Sequence, residues 1–212
     1  MLVKNVMTKN PVTISPESSI TEARALMNKK NIGKLPVIDK NNKLVGILTK
    51  NDMAKAAPSD ATTLDMFEIG YILSKITVEK VMAKNVITVP DTEVVENAAK
   101  IMVDNGIGCV PVVSGDLVVG IITESDLFGL FTDMFGARDE GVRFILTLDD
   151  KPGQVAKLIN EIAEADGNLV SLVTRELKEN GKRRLTVKVQ GISEAKLKEI
   201  LSKLGLTADD IR

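Results

Sequence analysis

The chain repeats itself. Setting Val6-Met7 against Val81-Met82, an offset of 75, brings Thr13 onto Thr88, Ile32-Gly33 onto Ile107-Gly108 and Pro36-Val37 onto Pro111-Val112. Beyond Pro111 the second copy is one residue shorter. At an offset of 74, Gly46-Ile47-Leu48-Thr49 meets Gly120-Ile121-Ile122-Thr123, and Asp52 meets Asp126. A skeleton shared over about 50 residues constrains the fold, because each copy is too small to bury its apolar face alone. Two copies are expected to pack face to face as one pseudo-symmetric module.

Both copies read as β-α-β-β-α. Residues 12–14 and 86–89 are short extended pieces, each followed by a helix. Ile20, Ala23, Met27 and Ile32 recur at helical spacing along 21–30, as do Val95, Ala98, Ala99, Met102 and Val103 in copy two. Strands at 34–39 and 109–114, turns at 40–43 and 115–116, and strands at 44–48 and 117–122 then lead into helices capped by Thr49 and Thr123. Between the copies, Pro58-Ser59-Asp60 marks a turn, and Thr62 or Thr63 caps a helix to about residue 74. Its Met66, Ile69, Ile72 and Leu73 share one side, a structured connector. The expected divisions are 1–57, a connector at 58–77, 78–135, a hinge at 136–141, and a further domain over 142–212.

Composition narrows the function. Lys and Arg number 28 against 29 Asp and Glu, and aromatics are 3% with no Trp. There is neither a basic field nor a set of stacking platforms for nucleic acid, nor an attraction to an acidic membrane. No apolar run is long enough to span a bilayer or form a signal-peptide core, and one cysteine cannot form an internal disulfide; a cytoplasmic setting is expected. Histidine is absent, which argues against most hydrolytic triads and catalytic zinc sites. No catalytic residue or metal ligand is assigned. Cys109, without a second cysteine, reads as a small buried hydrophobe, and Met7, Met27, Met82 and Met102 as core packing.

The candidate site is the run Gly-apolar-apolar-Thr-x-x-Asp: Gly46…Thr49…Asp52 and Gly120…Thr123…Asp126. It puts a hydroxyl and a carboxylate on the first turn of a helix. A carboxylate accepts from the paired hydroxyls of a ribose, a helix N-terminus favours phosphate, and a strand glycine admits close approach. The same residues also serve as a simple N-cap and a first-turn charge. Both readings stand at this level.

These runs, with Ile32-Gly33-Lys34-Leu35-Pro36-Val37, Ile107-Gly108-Cys109-Val110-Pro111-Val112 and the Val-Met-x-Lys-Asn opening of each copy, resemble the CBS domain, whose tandem pair forms a Bateman module. The resemblance implies a cleft for AMP, ADP, ATP or a related adenosyl ligand, regulatory and not a required cofactor. It implies one site from Ile47, Thr49, Lys50, Asn51 and Asp52 with Gly33, Lys34, Val89, Val94, Ile107 and Cys109. The other combines Ile121, Thr123, Ser125 and Asp126 with Ser15, Ile20, Ile32, Lys34 and Gly108. Lys50, Asn51 and Lys34 favour a charged nucleotide at Thr49/Asp52, whereas Glu124 beside Thr123 repels phosphate.

After the hinge, residues 142–148 read as a strand and 149–153 as a turn. Residues 154–165 form an amphipathic helix ending at Gly167. A hairpin over 169–177 and 184–189 surrounds Asn180-Gly181, and 193–204 is a second helix opened by Ser193. Residues 206–212 carry too little apolar sequence for a clear final strand. Asp150-Lys151-Pro152-Gly153 and Gly167-Asn168-Leu169 resemble the ACT domain, a ferredoxin-like module. In that family the loops carrying Asp150, Pro152, Gly153, Asn168 and Leu169 face an amino-acid effector at a dimer interface. The whole resembles the acetoin-utilisation AcuB family, giving an α+β chain that senses ligands, forms a homodimer or higher oligomer and regulates an unidentified protein. An oligomerisation module without ligand, or a nucleotide-hydrolysing enzyme using Lys34 or Asp52, are the alternatives.

Overall fold

The structure, a computed structural model, describes residues 1–56, 66–178 and 181–212. It divides into two compact units, Met1–Phe128 and Gly129–Arg212. Among the described residues no helix is long and apolar enough to cross a membrane.

In the first unit a 3-10 helix (Val3–Asn5) and β1 (Thr8–Lys9) precede α1 (Ile20–Lys30). α1 opens on a reciprocal capping box, with Ser19 accepting from the Glu22 N–H and Glu22 from the Ser19 N–H. It ends at Asn31 in the left-handed conformation, and its Ile20, Ala23 and Met27 are fully buried. A hairpin of β2 (Lys34–Ile38) and β3 (Leu44–Thr49) feeds α2 (Lys50–Ala56). The connector contains α3 (Met66–Lys75), with Leu73 buried. The turn at Pro58-Ser59-Asp60, the caps at Thr62 and Thr63 and the side chains of Met66, Ile69 and Ile72 lie outside the described residues. Then come α4 (Val78–Val81), β4 (Val89–Pro90), α5 (Val95–Asn105), β5 (Cys109–Ser114), β6 (Leu117–Thr123) and α6 (Glu124–Met134).

The two copies are joined by exchange. β1, from the first copy, pairs antiparallel with β6 of the second, Thr8 opposite Ile121. In mirror fashion Ala83, from the opening of the second copy, pairs with Ile47 of the first, their backbones exchanging hydrogen bonds of 3.0 and 2.9 Å. Val78 and Met82 accordingly join the core of Ile14, Ile20, Ala23, Met27, Leu35 and Leu48. The strand glycines serve this exchange. A Cβ on Gly46 would stand 2.3 Å from Met82 Sδ, and one on Gly120 2.2 Å from Met7 Sδ. The group that approaches each strand closely, as the strand glycine allows, is therefore the methionine of the opposite copy.

α6 starts in the first unit and ends in the second. The latter continues with β7 (Val142–Asp149), α7 (Gln154–Glu164), β8 (Asn168–Leu177), β9 (Lys182–Gln190), α8 (Glu194–Lys203) and β10 (Ala208–Ile211). The sheet is antiparallel in the order β10-β7-β9-β8, the ferredoxin-like arrangement. Alternate residues of β7 (Phe144, Leu146, Leu148) and β9 (Leu185, Val187, Val189) pack with Leu158 and Ile162 of α7 and Leu197, Ile200 and Leu201 of α8. The final strand forms despite its polarity. Asp210 pairs with Arg143 at 3.2 Å, Asp209 accepts from Thr147 at 2.9 Å, and the backbones of Arg143 and Arg212 bond reciprocally. As an edge strand it needs ladder bonds and ion pairs more than an apolar face. Asn180 of the hairpin turn lies outside the described residues. The 136–141 segment, expected as a hinge, is tied to its own unit: Lys188 Nζ donates to the carbonyls of Gly136 (2.8 Å) and Asp139, and Gln190 Nε2 to that of Glu140 (2.9 Å).

Candidate functional site

Both Thr-x-x-Asp runs fold into the same reciprocal turn. The Thr49 backbone N–H and Oγ1–H donate to Asp52 Oδ2 at 2.9 and 2.6 Å, and the Asp52 N–H returns a bond to Thr49 Oγ1 at 3.2 Å. Thr123 and Asp126 repeat this at 2.8, 2.7 and 3.4 Å. The capping role is therefore real in both copies. It uses only one carboxylate oxygen, and Oδ1 of each aspartate takes no hydrogen bond from the described residues. Capping and ligand binding are thus compatible.

Each turn lines a cavity. That of Thr49 and Asp52 measures about 590 Å3, within the range of small-molecule sites, about 300–1,000 Å3. Ile47, Lys50, Asn51 and Lys55 of the first copy join them there, as do Ala83, Asn85, Val86 and Ile87 from the opening of the second. Ile107, Gly108 and Cys109, with Gly33 and Lys34, complete much of the wall. The second cavity, about 530 Å3, gathers Ile121, Thr123, Ser125 and Asp126 with Thr8, Asn10, Pro11 and Val12, and with Ile32, Gly33 and Lys34.

Four residues expected at these sites lie off both cavities. Ile20 and Val89 are core residues, 0% and 2% exposed. Val94 is the exposed N-cap residue of α5, and Ser15 is tied to Glu17. Gly108 lines the first cavity, not the second. The cause is the exchange of opening segments: residues 8–12 and 83–87 reach the cavities, so the frame lies several positions earlier in the chain than the sequence reading placed it. Asn10 and Asn85, which close the repeated Val-Met-x-Lys-Asn motif, carried the signal that would have found it.

The cavities differ in charge. Lys50 lays its stem over Gly33, Cδ 3.7 Å from where a Cβ would be, whereas its counterpart Glu124 brings Oε2 within 2.6 Å of the corresponding point at Gly108. Lys34, expected at both sites, lines both cavities, and its ammonium donates to the Gly108 carbonyl. Burial pushes the Cys109 thiol up to about 11, against an opposing pull from Lys34. Its thiolate fraction at pH 8 should therefore be about 100-fold below that of an ordinary cysteine. Iodoacetamide is expected to alkylate Cys109 about that much more slowly than a free thiol in the folded protein. Alkylation at the free-thiol rate would show the strand to be open.

In the second unit Asp150 is held by Arg183, Nε to Oδ1 at 2.9 Å and Nη2 to Oδ2 at 2.8 Å, and Arg183 also donates to Thr174 Oγ1 at 3.1 Å. The hydrogen bonds from Arg183 keep the Asp150 carboxyl below the usual carboxylate range. Gly153, at φ 84°, stands at the N-cap of α7. Pro152, Gly153, Asn168 and Leu169 are exposed. Among the described residues no group of three or more Cys, Asp or Glu side chains is placed to hold a metal.

Known proteins share this architecture. The CBS domain model matches residues 3–59 and 78–133, and that of the TTHA0829-like ACT domain matches 140–212. The CBS domain pair of protein MJ0100, solved in complex with 5'-methylthioadenosine and S-adenosyl-L-methionine, is 37% identical; the match covers 66% of this chain and 98% of that one, with a TM-score of 0.53. A structure described as an acetoin utilization protein, AcuB, from Vibrio cholerae is 28% identical, covering 66% and 96%, with a TM-score of 0.55. An L-aspartate semialdehyde sulfurtransferase of Methanocaldococcus jannaschii is 39% identical over 131 residues, 61% of this chain but 23% of its own length. A homoserine O-acetyltransferase of Methanococcus vannielii is 34% identical over 132 residues, 25% of its length. The chain thus spans about a quarter of these curated relatives. CBS and ACT domains are regulatory modules, and the matched segments include no catalytic domain. The repeat, the paired Thr/Asp turns and these matches together place the chain in the CBS domain family, as an AcuB-like tandem pair followed by a TTHA0829-like ACT domain.

Proposed function

We propose that the chain is a regulatory sensor that takes an adenosyl ligand in its CBS pair, with an anionic adenine nucleotide preferred at Thr49/Asp52. The observation carrying this is that Asp52 lines an apolar-walled cavity with one carboxylate oxygen unengaged. A free carboxylate oxygen accepts hydrogen bonds from a ribose diol, Ile47, Val86, Ile87 and Ile107 suit a purine, and Lys50 and Lys55 suit phosphate. The adenosyl ligands held by the MJ0100 pair support the same reading. An amino-acid effector at the ACT loops would need a second copy to cover Gly153 and Asn168, which are exposed in one protomer; a homodimer fits that need. Occupancy acts on a partner protein only if the ligand binds two arrangements of the chain unequally.

Isothermal titration with AMP, ATP, 5'-methylthioadenosine and S-adenosylmethionine tests the reading. Losing hydrogen bonds to a charged group costs about 1.5–3 kcal/mol, so Asp52→Ala should weaken AMP binding about 10- to 100-fold. Asp126→Ala should leave the tighter event in place. Equal losses in the two variants, or loss only in Asp126→Ala, would overturn the preference. Absence of binding by every ligand, with no shift in melting temperature, would favour a purely oligomerising module.

A further inference from the structure

Lys34 borders both cavities. It lies with Thr49 and Asp52 in one and with Thr123 and Asp126 in the other. Its ammonium rests on the carbonyl of Gly108, a residue that lines the first. The supply of positive charge on the two sides is unequal. The Thr49/Asp52 cavity has Lys50 and Lys55 besides Lys34, whereas Lys34 is the only basic side chain among the described residues lining the other. Glu124 adds a carboxylate by the same glycine: a Cβ there would stand 2.6 Å from Glu124 Oε2 and 3.3 Å from Lys34 Nζ. One ammonium cannot neutralise two phosphates. Whichever anion draws it leaves the other cavity with Asp126, or Asp52, less compensated.

We propose that Lys34 couples the two cavities, so that an anionic adenine ligand at Thr49/Asp52 weakens the binding of a second anion at Thr123/Asp126 and leaves that cavity to an uncharged adenosyl compound. This rests on reading both cavities as adenosyl sites. The three lysines around Thr49 and Asp52 set the order of filling. Because coupling free energy is reciprocal, an anion placed first in the second cavity weakens the first by the same factor. The pair then distinguishes mixed occupancy, one charged and one neutral ligand, from a single nucleotide at high concentration.

Titration of the full chain with AMP, and separately with uncharged 5'-methylthioadenosine, tests this. In the wild type two AMP events are expected, the second weak. With the first cavity weakened about 10- to 100-fold in Asp52→Ala, the AMP affinity at Thr123/Asp126 should rise at least about 5-fold over the second wild-type event, the lower end of usual site-to-site coupling. Adding Lys34→Met should abolish that rise, while Lys34→Arg, which keeps the charge, should retain it. An unchanged second affinity in Asp52→Ala means independent cavities and overturns the coupling, even where two 5'-methylthioadenosine sites show the adenosyl reading to hold. Failure of the wild type to bind either compound removes that reading and the coupling with it. Should Lys34→Met not fold, the comparison of Asp52→Ala with the wild type decides alone.

Discussion

Replacing Val3 by aspartate is expected to destabilise the CBS pair by about 3 kcal/mol or more, since an unpaired carboxylate is buried where no partner can reach it. At about 2–4 °C per kcal/mol for a chain of this size, the melting temperature should fall by about 6–12 °C or more, read by circular dichroism. Val3 sits in a three-residue 3-10 helix, an element that would ordinarily tolerate such a change, yet it is 0% exposed. Its N–H donates to the Glu93 carbonyl at 2.8 Å, and that of Lys4 to Asp91 at 3.1 Å. The opening of the first copy is thus a structural part of the second. Val78, its repeat counterpart, is likewise 0% exposed, and Val78→Asp should cost about as much. Val103 is 81% exposed on α5, so Val103→Asp should stay within about 0.5 kcal/mol. A Val3→Asp protein that melts like Val103→Asp would mean that the exchanged segment contributes nothing, and the second cavity, lined by Thr8 and Asn10, would lose its frame.

That exchange also marks where sequence reasoning stops. Hydrophobic periodicity located α1, α5 and both hairpins closely, because those elements answer to short-range spacing: Ile20, Ala23 and Met27 form one stripe whatever the partner. Repetition located Thr49/Asp52 and Thr123/Asp126, because two matched hydroxyl–carboxylate turns are conspicuous along the chain. Neither signal says which copy an opening segment will pair with. Pairing of Thr8 with Ile121 across more than a hundred residues is a tertiary choice, made by apolar burial of Val3 and Val78 and by room above Gly120 and Gly46. The family resemblance puts each frame in the opposite copy but several positions too late, near Ser15 and Ile20 or Val89 and Val94, and passes over Asn10 and Asn85. β10 was obscure for a different reason: Ala208-Asp209-Asp210-Ile211 has no strand-like alternation, and only Arg143 and Thr147, distant in sequence, show what its acids are for. Lys34 is legible as a residue of both sites, but the bond of its ammonium to the Gly108 carbonyl is not.

Phe144→Ala should remove about 3–5 kcal/mol from the ACT domain alone, the usual cost of truncating a fully buried aromatic. Phe144 is 0% exposed at the centre of a core whose buried members all fall between residues 144 and 201. None of the core residues around Ile14, Leu35 and Met82 belongs to it. Domains typically hold about 5–15 kcal/mol in all, so the loss takes a third or more of a mid-range domain. Scanning calorimetry should then show an early transition for the ACT domain and a second near its wild-type temperature for the CBS pair. Saturating AMP should raise only the later one, since a ligand stabilises the unit that binds it by an amount set by its concentration over its dissociation constant. If instead the variant melts in one step at a temperature lowered throughout, and AMP raises that single transition, the two units do not fold on separate cores, and an occupied nucleotide cavity would stabilise the whole chain as one cooperative unit.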